Sequence, residues 1–309
     1  MYLARAGEDF LHLAMPKLDI TFILPVFNGL DYTRACLDSL RETVDLANHE
    51  VIVVDDLSTD GTREFLAKLP PPFHVILNDT RRNYAANNNA AAAVARGEFL
   101  CLHNNDLVFT PGWLEPMLRA FNRFPKVGFV GNIQRNPHTG RYDHMGIVFG
   151  DSGLPWHFGK HFAFRPYRGY REWKAVTAAC CLIKRPVFLE AGGFDENYVN
   201  GSEDIDLCLR LGAKGYRHYV ANDSVVDHHV SSSAGRHAFN DANEQRLLAR
   251  WQTELQRSVT TRDRRLAAAN YLLRFAAQPW RYNGRRLCHA ALSLASWGRF
   301  THATAHTQR

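Results

Sequence analysis

Four polar segments of this sequence contain the side chains that could carry chemistry, and two of them follow apolar runs. Asp55 and Asp56 follow one such run, and a His-Asn-Asn-Asp segment that ends at Asp106 follows another. Mg²⁺ or Mn²⁺ prefers oxygen ligands and usually takes only one or two of them from protein. Carboxylates at a strand end can also accept from a ribose hydroxyl or a base. The simpler alternatives are a polar turn around Asp106 and a helix cap, which we expect at Asp60.

The other two segments lie in the second half of the chain. Ser202 as an N-cap would place Glu203 and Asp204 in the first turn of a helix, pointing away from the core. Acids are also common there because they complement the helix dipole. His228 and His229 follow a predicted short strand, and a neutral imidazole can complete the coordination of a metal. A histidine pair in a loop is, however, more often a surface feature.

An α/β sheet is needed to bring these side chains together. Short β-branched runs alternate with helix-like stretches through the first 130 residues, which predicts βαβ units in a mainly parallel sheet. Ligands of such sheets bind outside the carboxyl ends of the strands. We expect strands at 20–26, 51–54, 74–77, 99–102, 127–130, 175–183 and 216–220. Helices are expected at 31–44, 60–68, 85–96 and 202–212, and in a segment that has Pro111 in its first turn.

The chain divides into three predicted parts: an N-terminal extension at 1–18, an α/β domain at 19–237 and a basic helical extension at 238–309. Within the domain, residues 132–170 show no clear period and are expected to be rich in loops. From Arg236 onward there are thirteen arginines and four acids, so that the first 235 residues carry −3 of the total charge of +6. The basic helices would pack on the domain or lie on an anionic membrane surface.

Composition excludes several classes of protein. No apolar run approaches the ~18 residues of a membrane span, and acids interrupt the start of the chain where a signal peptide would be apolar. We therefore expect a cytoplasmic protein, at most peripheral on the inner membrane, and no nucleic-acid partner. The six cysteines form no CxxC pair and are expected to be reduced and buried.

Taken in order, these segments resemble the inverting family 2 glycosyltransferases of the GT-A fold. The similarity is greatest to bacterial enzymes of the rhamnosyltransferase or O-antigen polysaccharide type, and it runs from about residue 20 to 233. Each motif is weak alone, whereas their joint order and spacing are specific. The motifs are LPVFN from Leu24, VDDLSTDGT from Val54, GEFL from Gly97, NND from Asn104, PGW from Pro111, GGFDE from Gly192 and EDIDLCLR from Glu203.

The resemblance implies a GT-A (Rossmann-like) fold and metal-dependent transfer of a sugar, with inversion, from a nucleotide-diphosphate donor to a hydroxyl of a glycan or lipid-linked acceptor. It makes Asp204 the catalytic base and Glu203 a residue that positions the acceptor. Mn²⁺ or Mg²⁺ would be held by Asp106 and His228, with His229 as the alternative. The residues implied for donor binding are Pro25, Val26, Asn28, Asp55, Asp56, Asn104 and Asn105.

Two departures from the family pattern bear on the site. Asn104 replaces the first acid of the DxD motif, which removes one anionic ligand. Asn83 lacks the glycine that usually follows it, which leaves the role of Arg82 and Asn87 towards phosphate open. Two other functions remain: a nucleotidyltransferase, although the loop after the first strand lacks the usual lysine or arginine, and a degenerate module that binds sugar nucleotides without catalysis.

Overall fold

The structure is a computed structural model. It describes residues 20–150, 153–229 and 238–281, together with residues 287, 288, 290, 291 and 294. The predicted N-terminal extension and most of the chain after residue 281 lie outside the described residues. The three serines after the histidine pair also lie outside them.

The described residues form two sheets. The strands are β1 (Ile20–Val26), β2 (Glu50–Asp55), β3 (Phe73–Leu77), β4 (Phe99–His103), β5 (Leu107–Phe109), β6 (Val127–Arg135), β7 (Tyr142–His144), β8 (Ile147–Phe149), β9 (Pro155–His157), β10 (Tyr170–Trp173), β11 (Cys180–Lys184) and β12 (Arg217–His228). The main sheet has the order β10-β12-β6-β11-β4-β1-β2-β3, with β5 on β12 and β7 on β6, while β8 and β9 form a separate hairpin. Along the main path of the described sheet, β11 and β10 run antiparallel to their neighbours and the other six strands share one direction. This confirms the α/β class and the mainly parallel sheet.

Helices flank this sheet. They are α1 (Leu30–Thr43), α2 (Thr62–Leu66), α3 (Tyr84–Val94), α4 (Leu114–Arg123), α5 (Arg185–Glu190), α6 (Glu203–Ala213), α7 (Asn240–Ser258) and α8 (Thr261–Ala277). Side chains alternate between the faces of a strand, so β1 contributes to two cores: Ile23 packs in one, Phe22 and Leu24 in the other. Burial on both faces is the reason that the strand sequences are continuously apolar.

Several predicted elements are wrong in detail. Pro111 precedes α4, which begins at Leu114. The segment at 132–170 is rich in loops, as predicted, but β6 extends into it and the short strands β7, β8 and β9 lie within it. The short strand expected at 216–220 is part of β12, which passes a bulge after Ala221 and runs on to His228. His228 therefore lies on a strand and not in a loop.

The caps of two helices also differ from simple expectation. The Asp60 carboxylate accepts from the backbone N–H and hydroxyl of Thr62 at the start of α2, and from the N–H groups of Gly29 and Leu30 at the start of α1. Its structural role is confirmed and extends to two helices. Ser202 occupies the N-cap position of α6 in a left-handed conformation (φ 72°), without a capping bond from its side chain.

The C-terminal helices pack on the sheet domain, which was one of the two alternatives for them. Leu247 and Leu255 of α7 are fully buried in the same core as Ile147 and Phe149 of β8. Five of the six cysteines are buried and all six are free, with Cys288 exposed. No helix in the described part of the chain is both long enough and apolar enough to cross a membrane.

Candidate functional site

A cavity of about 700 Å³ opens where β1, β2 and β4 reach their carboxyl ends. The loop before β11 and the first turn of α6 form its next wall. The fold therefore brings most of the predicted site residues to one place, as expected for an open α/β sheet. Those that line the cavity are Pro25, Val26, Asp56, Asn104, Asn105, Asp106, Glu203 and Asp204.

Asp106 and His228 meet because of strand pairing. Asp106 lies between β4 and β5, and β12 pairs antiparallel with β5 so that His228 is opposite Leu107. This register places Nε2 of His228 3.1 Å from Oδ1 of Asp106. The other ring nitrogen of His228, Nδ1, lies 2.9 Å from Oε1 of Gln134. All three side chains are buried.

His229, the predicted alternative to His228, faces elsewhere. Its Nδ1 lies 3.3 Å from Nε2 of His138, and its ring centroid is 5.1 Å from that of Tyr32. Partial burial and the neighbouring His138 lower its pKa. Its hydrogen bond to Asp106 is made by the backbone, where the N–H of His229 donates to the main-chain oxygen of Asp106. The geometry thus favours His228 as the histidine that acts with Asp106.

The chemistry of this pair fits a divalent cation. With a divalent cation bound, Nδ1 of His228 would donate to the Gln134 oxygen, and Nε2 would direct its lone pair at the metal beside the Asp106 carboxylate. Adjacent ligand atoms of an octahedral Mg²⁺ site lie about 3 Å apart, close to the separation seen here. Among the described residues no group of three His, Cys, Asp or Glu side chains could hold a metal. A cation here would therefore take its remaining ligands from phosphate and water.

Asp204 is held by backbone amides at the edge of the cavity. The N–H of Ala178 donates to Oδ2 (2.9 Å) and that of Ile205 to Oδ1 (2.8 Å). The side chain is half-buried. Burial raises the pKa of Asp204 above its ordinary value of 3.8, against the opposing effect of these hydrogen bonds. Glu203 also lines the cavity, but its carboxylate turns back to accept from the N–H of Gly201 (2.7 Å).

Asp55 and Asp56 differ in their surroundings. The carboxylate of Asp55 is fully buried, accepts from the N–H of Ser58 and pairs with Arg63 at 2.8 Å, so it does not line the cavity. Asp56 does line it, and accepts from the backbone N–H of Arg82 (2.7 Å). The oxygens of Asp55 thus bind Ser58 of the loop and Arg63 of α2, and its contact with the donor stays a prediction.

Asn28, which was also predicted to bind the sugar-nucleotide donor, stabilises the loop that contains Thr59. Its backbone is left-handed (φ 56°) and its side-chain oxygen accepts from the N–H of Thr59 (2.8 Å). It is not part of the cavity lining. By contrast, Asn87 lines the cavity and accepts from Asn78 at 2.8 Å.

Several residues that line the cavity were not predicted from the sequence. Arg81 places its guanidinium 3.3 Å above the Phe27 ring and donates to Asp56 (3.1 Å). Phe27 lies inside the LPVFN motif, and an aromatic side chain at the end of a buried strand was a usable signal. The other lining residues that were not predicted are Tyr84, Ile147, Pro155, His157, Thr177, Ala178, Ala179, Asn200, Gly201, Ser202, Ile205, Ala238, Phe239, Asn240, Asn243 and Glu244.

Comparison with known proteins agrees with this geometry. The profile of the family described as "Glycosyl transferase family 2" matches residues 21–191. The chain is 34% identical over 238 residues to the O-antigen biosynthesis protein RfbC of Myxococcus xanthus, covering 74% of this chain and 18% of that protein. It is 26% identical to an N-acetylglucosaminyl-diphospho-decaprenol L-rhamnosyltransferase of Mycobacterium tuberculosis, covering 70% and 79%.

The relatives differ widely in length. The uncharacterized protein y4gI of Sinorhizobium fredii is 36% identical over 70% of this chain, but this match covers 25% of y4gI. The chain thus spans a quarter or less of the length of y4gI and RfbC.

Solved structures show the same fold. A structure of GalNAc-T7 with UDP, GalNAc and Mn²⁺ superposes with a TM-score of 0.62 over 77% of this chain and 50% of that one, at 13% identity. A mannosyltransferase of Pyrobaculum calidifontis with GDP-Man and Mn²⁺ gives 0.55 over 89% and 79%, at 21% identity.

Proposed function

The chain belongs to glycosyl transferase family 2, and we propose that it moves a sugar from a nucleotide-diphosphate donor to a hydroxyl of a glycan or lipid-linked acceptor, with inversion at the anomeric carbon. The observation that carries this proposal is the shared cavity, since Asp204 and Asp106 line the same space. A base and a candidate metal ligand are thereby available to one bound sugar nucleotide.

The donor end of the cavity lies at the carboxyl ends of β1, β2 and β4. Asp106 and His228 would hold Mn²⁺ or Mg²⁺, which when bound supplies Lewis-acid stabilisation of the charge on the leaving diphosphate. Pro25, Val26 and Asp56 would contact the nucleoside, with Asn104 and Asn105 on the diphosphate side. Asn104 adds no charge, so one protein carboxylate acts alone at this site.

Asp204 would act as the general base. Its carboxylate takes the proton of the acceptor hydroxyl while the acceptor oxygen bonds to the anomeric carbon and the bond to the diphosphate breaks. A single in-line displacement of this kind inverts the centre, and general base catalysis contributes typically ~10²–10⁴-fold. Burial supports the role, because a raised pKa makes Asp204 a stronger base. Glu203, fixed by Gly201, would position the acceptor.

The proposal is tested by Asp204→Asn. We expect this variant to bind a nucleotide-diphosphate sugar with Mn²⁺ as the wild type does, and to lose at least about 10²-fold in transfer. Asp223→Asn serves as the control, because Asp223 is exposed on β12 and does not line the cavity. The measurements are donor titration and nucleotide release with a panel of donors. Near-normal turnover by Asp204→Asn would refute the role of Asp204 as base.

A lipid-linked acceptor would bring the protein to the membrane surface. Trp280 and Leu273 near the end of the described C-terminal helices are 77% and 41% exposed, which supports peripheral contact. Sedimentation with anionic vesicles should capture the protein, and Trp280→Ser should weaken this capture. Equal sedimentation of both proteins would argue against contact through this segment.

A further inference from the structure

The first turn of α7 contributes a wall of the cavity that the donor site leaves unused. Phe239, Asn240 and Glu244 line the cavity, although they lie in the part of the chain that follows the family match. Phe239 is 47% exposed and Glu244 is exposed as well. An aromatic ring and polar side chains therefore face the cavity from a helix of the C-terminal extension.

This wall is fixed close to the base. Asn243 is 3% exposed, and its side-chain amide donates to the main-chain oxygen of Val199 (2.9 Å) while its oxygen accepts from the N–H of the same residue (3.1 Å). The chain then passes through Asn200, which also lines the cavity, and reaches Asp204 in α6. The paired bonds hold the first turn of α7 on the side of the cavity where Asp204 lies.

A second contact anchors α7 further along its length. The indole N–H of Trp251 donates to the fully buried carboxylate of Asp206 (2.7 Å), and Arg250 lies 3.2 Å from the same group. Asp206 and Asp204 both belong to α6. The two helices are thus joined at two points, and such anchoring lets a binding wall keep its geometry.

The chemistry of this end of the cavity differs from that of the donor end. Among the lining residues in the described part of the chain, Arg81 is the sole lysine or arginine. Its guanidinium lies over the Phe27 ring, at the donor end of the cavity. The lining residues also include Pro155 and His157 of the β8–β9 hairpin. Apolar surface with a few polar groups and without a cation suits a neutral, hydroxylated ring better than a phosphate.

We propose that the acceptor sugar binds against α7, with the apolar face of its ring on Phe239 and its hydroxyls hydrogen-bonded to Glu244 and Asn240. The inference rests on the proposed transferase activity and names residues that select its acceptor. Phe239 supplies rigid aromatic area at low entropic cost, and the carboxylate of Glu244 accepts from hydroxyl groups. Replacing the first turn of α7 would change the acceptor that the protein uses and leave the donor unchanged.

Binding of simple sugars tests the inference without knowledge of the natural acceptor. Octyl hexopyranosides of several configurations are added to the full chain with Mg²⁺ and UDP, GDP or dTDP, and saturation-transfer NMR measures their binding. We expect at least one hexoside to bind, with the strongest transfer to its ring C–H protons. Phe239→Ala should weaken that binding about tenfold or more, and Glu244→Gln should weaken it less.

Matched controls separate the surface from a general loss of structure. Phe164→Ala removes another exposed phenylalanine (55% exposed) that does not line the cavity, and Glu254→Gln alters an exposed acid further along α7. Both controls should bind the hexoside as the wild type does. Absence of hexoside binding by the wild type, or equal binding by Phe239→Ala, would overturn the inference. Failure of Mg²⁺-dependent nucleotide binding would instead contradict the proposed transferase function.

Discussion

At the scale of single residues, two opposing effects act on Asp204. Burial raises its pKa, and the amides of Ala178 and Ile205 act to lower it, with burial the larger effect. A carboxyl group whose folded pKa lies above its unfolded value makes the folded protein less stable as pH rises through that interval. The charged carboxylate of Asp204 therefore lowers the stability of the folded protein at neutral pH, as active-site groups often do.

Asp204→Asn should accordingly raise the melting temperature at pH 7. Asparagine keeps an oxygen that can accept from Ala178 and removes the charge of a half-buried carboxylate. The gain should shrink as pH is lowered towards the ordinary aspartate value of 3.8, where the wild-type carboxyl becomes protonated in both states. Thermal melting over a pH series measures this, with Asp223→Asn as the control. A variant that melts below the wild type at neutral pH would contradict the prediction.

The histidine pair offers a comparison within one chain. His228→Ala removes the ring nitrogen that lies 3.1 Å from Asp106, whereas His229→Ala removes a ring that contacts His138. We expect the Mn²⁺ concentration for half-maximal activity to rise about tenfold or more in His228→Ala and to change little in His229→Ala. Titration of activity with Mn²⁺ distinguishes them, and the reverse order would assign the metal to His229.

Some residues of the candidate site could be predicted from the sequence, and others could not. Asp106, Asp204 and Asp56 follow predicted strands or begin a predicted helix, so an open α/β sheet places them together without further information. Asp55 and Asp56 are adjacent in sequence and both are buried, so sequence alone does not show that Asp55 binds Ser58 and Arg63 while Asp56 lines the cavity.

At the scale of elements, α7 depends on contacts that no local pattern reveals. Its tie to α6 runs through Asp206, whose carboxylate also accepts from Arg210 at 2.8 Å. Sequence showed a basic helical segment there and left open where it would pack. The structure shows that α7 packs on the domain, because Leu247 and Leu255 are buried in its core. Long-range packing of this kind is not encoded in helical periodicity alone.

Trp251→Phe tests the tie between α6 and α7. The variant keeps an aromatic ring but removes one hydrogen-bond donor from the buried Asp206 carboxylate, which should cost about 1–2 kcal/mol of stability. Trp280→Phe changes a tryptophan that is 77% exposed and should stay within about 0.5 kcal/mol of the wild type. Urea denaturation measures both. Equal effects would show that the bond to Asp206 contributes little.

At the scale of the whole molecule, the class of fold and the positions of the first strands along the chain followed from the sequence. Continuous apolar runs such as Ile20–Val26 identify strands buried on both faces, and they keep their predicted positions. The hairpin of β8 and β9 and the long β12 were missed, because short strands with mixed polar and aromatic residues carry little periodicity. Periodicity also could not place His228 beside Asp106, because its position depends on the register of β12 with β5, and the two residues were paired only through the family resemblance.

The cavity is assembled from stretches far apart along the chain. Donor-side residues come mainly from the first 106 positions, whereas residues 238–244 form the wall beside Asp204. During evolution, the first 106 positions and residues 238–244 can therefore change independently of each other. If α7 binds the acceptor as proposed, substitutions near its start would change the acceptor while the donor stays the same, and homologues that share the donor loops need not share an acceptor.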